Sequence, residues 1–347
     1  MKSVYMKKKS MVCIWAMFFV MGMITMNCEG KNGGDVRGDA GVNILENTNE
    51  NADSKTDRFW KTEQRPDGEY LIDREGNTIP LKQYRRIVLL SPGAVETLYL
   101  IGGESAIAAI ASSSESVWPA EKTILLPGVG NVARPNLETM ISMEPDLVIG
   151  NSMNSGFIRD YISRGNAAIV HGADSIEDIF YSALILGRLC GREEAAKKLV
   201  SEKQIILASL AGELREQPLG LKGAFLFSAN PLMAFNSASL AGNVLEVLGA
   251  QNIAADLPAS QPILSSEYVL AQNPDFLFGA MSITKPEDIL AADSAILKTR
   301  AGRESNISIV PSSFFLRPSP RMMDKLLELH SEMKKYRQDW GEKNENS

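Results

Sequence analysis

The sequence predicts an α/β protein built as two similar lobes joined by a long helix, and three observations carry that expectation. Short apolar strands alternate with helical stretches from about residue 86 to residue 310, the pattern of sheets covered on both faces. A helix–strand unit occurs twice, once in each half. A long run with helical spacing separates the two groups of strands.

The chain opens on lysines (Lys2, Lys7, Lys8, Lys9), runs uncharged from Ser10 to Cys28 and meets its first acid at Glu29, which is the order of an export signal over residues 1–27. Cys28 stands where a bacterial lipoprotein carries its lipid-modified cysteine, although Ile24 to Asn27 depart from the usual Leu and small residues before it. An uncleaved anchor and simple secretion are the alternatives, because roughly 18 apolar residues can span a bilayer. Residues 28–56 are rich in Asn, Gly, Asp and Glu and read as a flexible, lipid-anchored linker. Order is expected from Phe59 and Trp60, and Tyr70 to Leu81 reads as a hairpin turning at Gly76 and Asn77.

Strands are expected at Arg86–Leu90, Ala106–Ala111, Asp146–Ile149 and Ala167–Val170, then at Gly223–Phe227, Asp275–Phe278 and Ile307–Val310. Between the groups, Ile176, Ile179, Phe180 and Ala183, then Leu199, Ile206 and Leu210, keep helical spacing, with Gly187 and Gly191 expected to break the run. A helix over Arg192–Glu216 would be about 37 Å long, enough to pass from one lobe to the other. The expected domains are an N-terminal lobe with its leading hairpin over 57–190, an inter-lobe helix over 191–217 and a C-terminal lobe over 218–347.

Composition narrows the function. The 347 residues are 44% hydrophobic and 22% charged, which excludes a wholly disordered chain. The net charge is −6 and deepens to −10 once residues 1–28, with four lysines and no acids, are removed. With no basic block outside the extreme N-terminus, nucleic acid is not expected as a partner. Two histidines and three cysteines exclude a Cys-rich zinc module and any site of three histidines, so no metal site is assigned. There is no Gly-x-Ser-x-Gly elbow, P-loop or HExxH, and no catalytic residue is assigned; an enzyme remains the competing class.

The repeat is the most informative feature. Glu138, Pro145, Asp146 and Gly150 return as Glu267, Pro274, Asp275 and Gly279, offset by 129 residues. Both copies read as an N-cap (Asn136, Ser265), a first-turn Glu, an apolar face, a proline that stops the helix and a buried strand. Leu98 to Gly102 is echoed by Leu245 to Gly249 ahead of each unit. Two similar lobes leave a cleft, where small molecules usually bind.

Taken in order, the hairpin Tyr70–Leu81, Arg86–Glu96, Val129–Asn131, Pro135–Glu138, Glu144–Ile149, Leu186–Ala195, Asn243–Ile253, Ser266–Glu267 and Ser319–Arg321 resemble a known family. It is that of the substrate-binding proteins of bacterial ABC importers for ferric siderophores, haem and cobalamin, the class III or helical-backbone periplasmic binding proteins. The resemblance covers about residues 70–340. It implies two Rossmann-like lobes joined by a long rigid α-helix, no intrinsic cofactor and no enzymatic activity. It further implies a monomer, lipid-anchored in the periplasm or at the cell surface, that delivers a metal chelate to an ABC permease dimer with its ATPase. A binding lobe serving a sensor or surface receptor is the alternative. By motif, the residues that dock on permease arginines fall on Glu138 and Glu267, the two picked out by the repeat; the helix dipole alone also favours a first-turn Glu, by about 0.3–1 kcal/mol.

The ligand is expected to be a prebuilt chelate. A ferric siderophore, often anionic, calls for arginines, and haem or cobalamin for flat aromatic walls. The candidates at the cleft are Trp118, Arg134, Phe235, Phe314, Phe315, Arg317 and Arg321, with core packing and surface ion pairing as the plainer alternatives. The three arginines put ferric siderophore first. His171 is expected in a loop, with an axial haem ligand as the alternative, and His330 on a helix face. Labelling cells with a radioactive fatty acid tests the anchor: the wild type is marked and Cys28→Ser is not, and equal labelling of both removes the lipid.

Overall fold

The computed structural model describes residues 58–113 and 115–345. The expected signal over 1–27, Cys28 and the linker 28–56 lie outside them. Strands β1 (Trp60–Arg65), β2 (Gly68–Asp73) and β3 (Thr78–Pro80) form an antiparallel sheet in that order. The expected hairpin is β2–β3, with Leu71 opposite Ile79. The strand β1 was not expected: in Trp60, Lys61, Thr62, Glu63, Gln64 and Arg65 only the tryptophan is buried, so no alternation marks it. Trp60 Nε1 donates to Val170 O at 2.6 Å, and the Asp73 carboxylate accepts from Val170 N at 2.7 Å, which fixes this sheet against the next one.

Six strands make the N-terminal lobe: β4 (Ile87–Leu89), β5 (Ile107–Ser112), β6 (Gly128–Asn131), β7 (Arg134–Pro135), β8 (Leu147–Asn151) and β9 (Ala168–His171). Their order is β7-β6-β5-β4-β8-β9, and all pairs are parallel except β6–β7. In the C-terminal lobe, β10 (Lys222–Ala229), β11 (Leu232–Ala234), β12 (Gln251–Asn252), β13 (Phe276–Gly279) and β14 (Ile307–Ile309) give the order β11-β10-β13-β14, with β12 also on β10. Every expected strand forms, and those added are short or carry few large apolar residues, as in Gly128, Val129, Gly130 and Asn131 of β6.

The repeat has the same physical role in both lobes. Asp146 accepts from the backbone N–H groups of Arg85 and Arg86 at 2.8 and 3.0 Å, and its own N–H donates to Arg86 O at 3.0 Å. Asp275 likewise accepts from Lys222 N at 2.8 Å and donates to Lys222 O at 2.7 Å. Each Pro-Asp therefore pins the first strand of its lobe to the strand that follows the aspartate. The glycine echo is a matched helix stop: Gly102 and Gly249 are left-handed, with φ of 68° and 70°. After them Gly103 N bonds Leu98 O at 2.8 Å and Ala250 N bonds Leu245 O at 3.0 Å, the same closing turn.

A helix over Ile176–Cys190 ends at left-handed Gly191, and the connecting helix runs from Glu193 to Glu216. Gly187 does not break the first helix, contrary to expectation. A Cβ there would lie 2.5 Å from the Ala196 Cβ, so the glycine admits the close approach of the two helices. The connecting helix begins in the core of the first lobe, where Ala196 joins Ile87, Leu89 and Leu186. Farther along it enters the core of the second, where Val200 and Leu210 join Phe225, Phe276 and Leu326 of the C-terminal helix (Met322–Glu345).

His171 is a strand residue, not the expected loop residue. It is buried, with Nδ1 2.9 Å from Ser91 Oγ, Nε2 3.4 Å from Ser182 Oγ and its ring edge-on to Trp60. Both nitrogens are engaged inside the lobe, which removes the axial-ligand alternative. Burial pushes its pKa down to about 4 from 6.5.

Two stability predictions follow from these groups. Asp275 is buried and also meets Arg300 at 2.9 Å, whereas Asp146 is exposed. In urea unfolding, Asp275→Ala loses about 3 kcal/mol and Asp146→Ala about 1 kcal/mol; equal losses would contradict the difference in burial. Because the folded pKa of His171 lies below its unfolded value, its contribution is full above pH 6.5 and is lost as pH falls from 6.5 to about 4. The wild type should lose about 3 kcal/mol across that window relative to His171→Gln, read from unfolding curves at stepped pH; parallel profiles would refute it.

Candidate functional site

Parallel strands in both lobes release their following loops at the same edge of each sheet, and loops there form the usual ligand sites of α/β proteins. After β4 the helix Pro92–Leu100 starts, capped by Ser91. After β5 comes the loop that carries Ser113, Glu115, Ser116 and Trp118, and after β14 the segment that carries Phe314, Phe315, Arg317, Ser319 and Arg321. The three segments meet.

Their meeting point is Glu96, which is only 3% exposed. Its carboxylate accepts from Ser319 Oγ at 2.8 Å and faces Arg321 at 3.3 Å and Arg317 at 3.8 Å. Arg317 is itself buried and donates to Ser116 O at 2.7 Å, Glu115 O at 2.9 Å and Ser113 Oγ at 3.2 Å. The guanidinium of Arg321 lies over the Trp118 ring, 4.6 Å from its centre, and the indole remains 36% exposed. Gly93 makes the approach possible, since a Cβ there would lie 2.6 Å from Pro318 O. One strip thus joins the lobes through a buried acid, two arginines and an indole open on one side.

The sequence candidates divide accordingly. Trp118, Arg317 and Arg321 are brought together. Arg134 lies apart, exposed on the edge strand β7. Phe235, Phe314 and Phe315 are buried in the core of the second lobe, where Phe315 packs against Phe225, Phe235 and Phe314 at centroid distances of 4.9, 5.9 and 4.8 Å. They back the segment that bears Arg317. Glu138 and Glu267 stand exposed in the first turns of the helices Leu137–Ser142 and Ser266–Gln272, capped by Asn136 and Ser265. Glu96 closes the motif Arg86–Glu96 but was not among the site candidates. Its signal was present as a single acid in the otherwise uncharged stretch Pro92 to Leu100, but its partners stand more than 200 residues away.

No helix among the described residues is long and apolar enough to cross a membrane. A profile of the periplasmic binding proteins matches residues 87–313. A cobalamin-binding protein of Halobacterium salinarum is 23% identical over 252 residues, covering 70% of this chain and 68% of that protein. A vitamin B12-binding protein of Salmonella choleraesuis is 29% identical over 257 residues, covering 71% of this chain and 90% of that protein. Among solved structures, the apo periplasmic haem-binding protein of Roseiflexus sp. RS-1 superposes with a TM-score of 0.63 at 21% identity, covering 74% of this chain and 99% of the other, a likeness of fold. The two α/β lobes, the helix between them and a profile match that runs from β4 to the segment before Arg317 agree: the chain belongs to the family of periplasmic binding proteins that serve ABC importers of siderophores, haem and vitamin B12.

Proposed function

We propose that this protein captures a corrinoid of the cobalamin class at the strip between its lobes and delivers it to an ABC permease dimer with its ATPase. The observation that carries the reading is the pairing of charges around Glu96. Of the three arginines that favoured an anionic ferric siderophore, Arg317 and Arg321 already face this buried carboxylate. What the strip offers a ligand is the open indole of Trp118 under Arg321, suited to a broad ring system with a delocalised face. The cobalamin-binding and vitamin B12-binding relatives support the same class.

In this reading Cys28 tethers a monomer to the bacterial membrane, and Glu138 and Glu267 meet basic residues of the permease, one from each lobe. Exposed ion pairs contribute roughly 0.2–1 kcal/mol each, so they orient a short-lived complex more than they hold it, which suits a delivery cycle. A ferric siderophore is the second reading, favoured by Arg321, whose side chain stays 37% exposed at the strip while it faces Glu96.

Calorimetric titration with cyanocobalamin, haemin, a ferric hydroxamate and a ferric catecholate separates these readings. Cyanocobalamin should bind, and Trp118→Ala should weaken it by about tenfold, roughly the value of a lost aromatic contact in a desolvated site. Tight binding of a ferric siderophore with none of cyanocobalamin would overturn the corrinoid assignment.

A further inference from the structure

The two repeat helices carry more than a glutamate each. From Glu138 the exposure runs exposed, half-buried, buried, exposed, exposed, half-buried, and from Glu267 the same six steps recur in the same order. Met140 and Val269 are the inward anchors, at 0% and 1% exposure. One turn beyond each glutamate, on the same helical face, stands a large aliphatic residue left in solvent: Ile141 at 50% and Leu270 at 39%. Neither glutamate has an ion-pair or side-chain hydrogen-bond partner among the described residues.

A single exposed aliphatic residue on a protein surface means little. Here the same pair, an unpaired carboxylate with an aliphatic side chain three residues on, appears twice at an offset of 129 residues. Topology also gives the two pairs equivalent places. Each helix leads into a parallel strand, β8 or β13, and so directs its first turn toward the edge of its sheet where those strands end. A partner that engages both must present the same recess twice, as a two-fold symmetric dimer does.

We infer that Glu138 with Ile141, and Glu267 with Leu270, form two equivalent docking knobs for the two subunits of the permease, each knob placing its carboxylate on a basic residue and its aliphatic side chain in an adjoining apolar recess. The inference rests on the reading of Glu138 and Glu267 as docking residues and adds the apolar half of the contact. The division of labour is physical. The carboxylates steer and set register through a field that salt screens, and the aliphatic groups supply contact area that salt does not weaken.

The test uses the full mature protein and nanodiscs that carry the permease–ATPase complex purified from the same organism, with empty nanodiscs as the blank. Ile141→Ser with Leu270→Ser should weaken binding by about tenfold and leave its salt dependence as in the wild type. Glu138→Ala with Glu267→Ala should weaken binding and flatten the salt dependence. All four positions are exposed, so unchanged melting temperatures are expected, and Ile141→Leu with Leu270→Ile should restore wild-type affinity. If the serine pair binds as the wild type does while the alanine pair is impaired, the apolar half of the knob is refuted and glutamate docking stands. If neither pair changes binding, both fall together.

Discussion

An ionised carboxylate is costly to bury without donors around it, and the arginines that face Glu96 come from the other lobe. Removing an ionised group from water costs several kcal/mol even after relaxation, so the helix that carries Glu96 can pack this tightly only where donors converge on it. Ser319, Arg321 and Arg317 supply them, all from the segment that follows the last strand of the second lobe. Arg317 is tied in turn by the carbonyls of Glu115 and Ser116. The same constraint explains the glycine at position 93, the burial of Arg317 and the way Arg321 comes to lie over Trp118.

The connecting helix is the mechanical counterpart of that cluster. It is anchored in both cores, by Ala196 on one side and by Val200 and Leu210 on the other. Its twenty-four residues form one continuous helix, and a helix resists bending more than an extended linker of the same length would.

Much of the fold was legible in the sequence because its signals are local. Runs such as Ile87 to Leu89 and Phe276 to Gly279 are apolar throughout, since both faces of their sheets are covered, and the proline and glycine punctuation around them is unambiguous. Where the sequence misled, a tertiary contact had overridden a local rule. Gly187 looked like a helix stop and is a helix contact. His171 looked like a loop residue and is sealed between Ser91, Ser182 and Trp60. The site was less legible than the fold. Trp118, Arg317 and Arg321 were named from residue type, but nothing local announces that Glu96 gathers them, or that Phe314 and Phe315 turn inward while the neighbouring Arg317 reaches across to the first lobe.

The leading sheet has a consequence for how this protein behaves in quantity. Its outer strand β1 pairs with β2 alone among the described strands, leaving a row of backbone groups open, and an open edge is a template on which further chains can polymerise. Lys61, Glu63 and Arg65 alternate along that edge with Thr62 and Gln64 between them, and Arg65 closes on Glu63 at 2.9 Å. A second copy trying to extend the sheet would have to strip water from these charges and place like against like. A charged selvedge of this kind keeps crowded neighbours from stitching into aggregates.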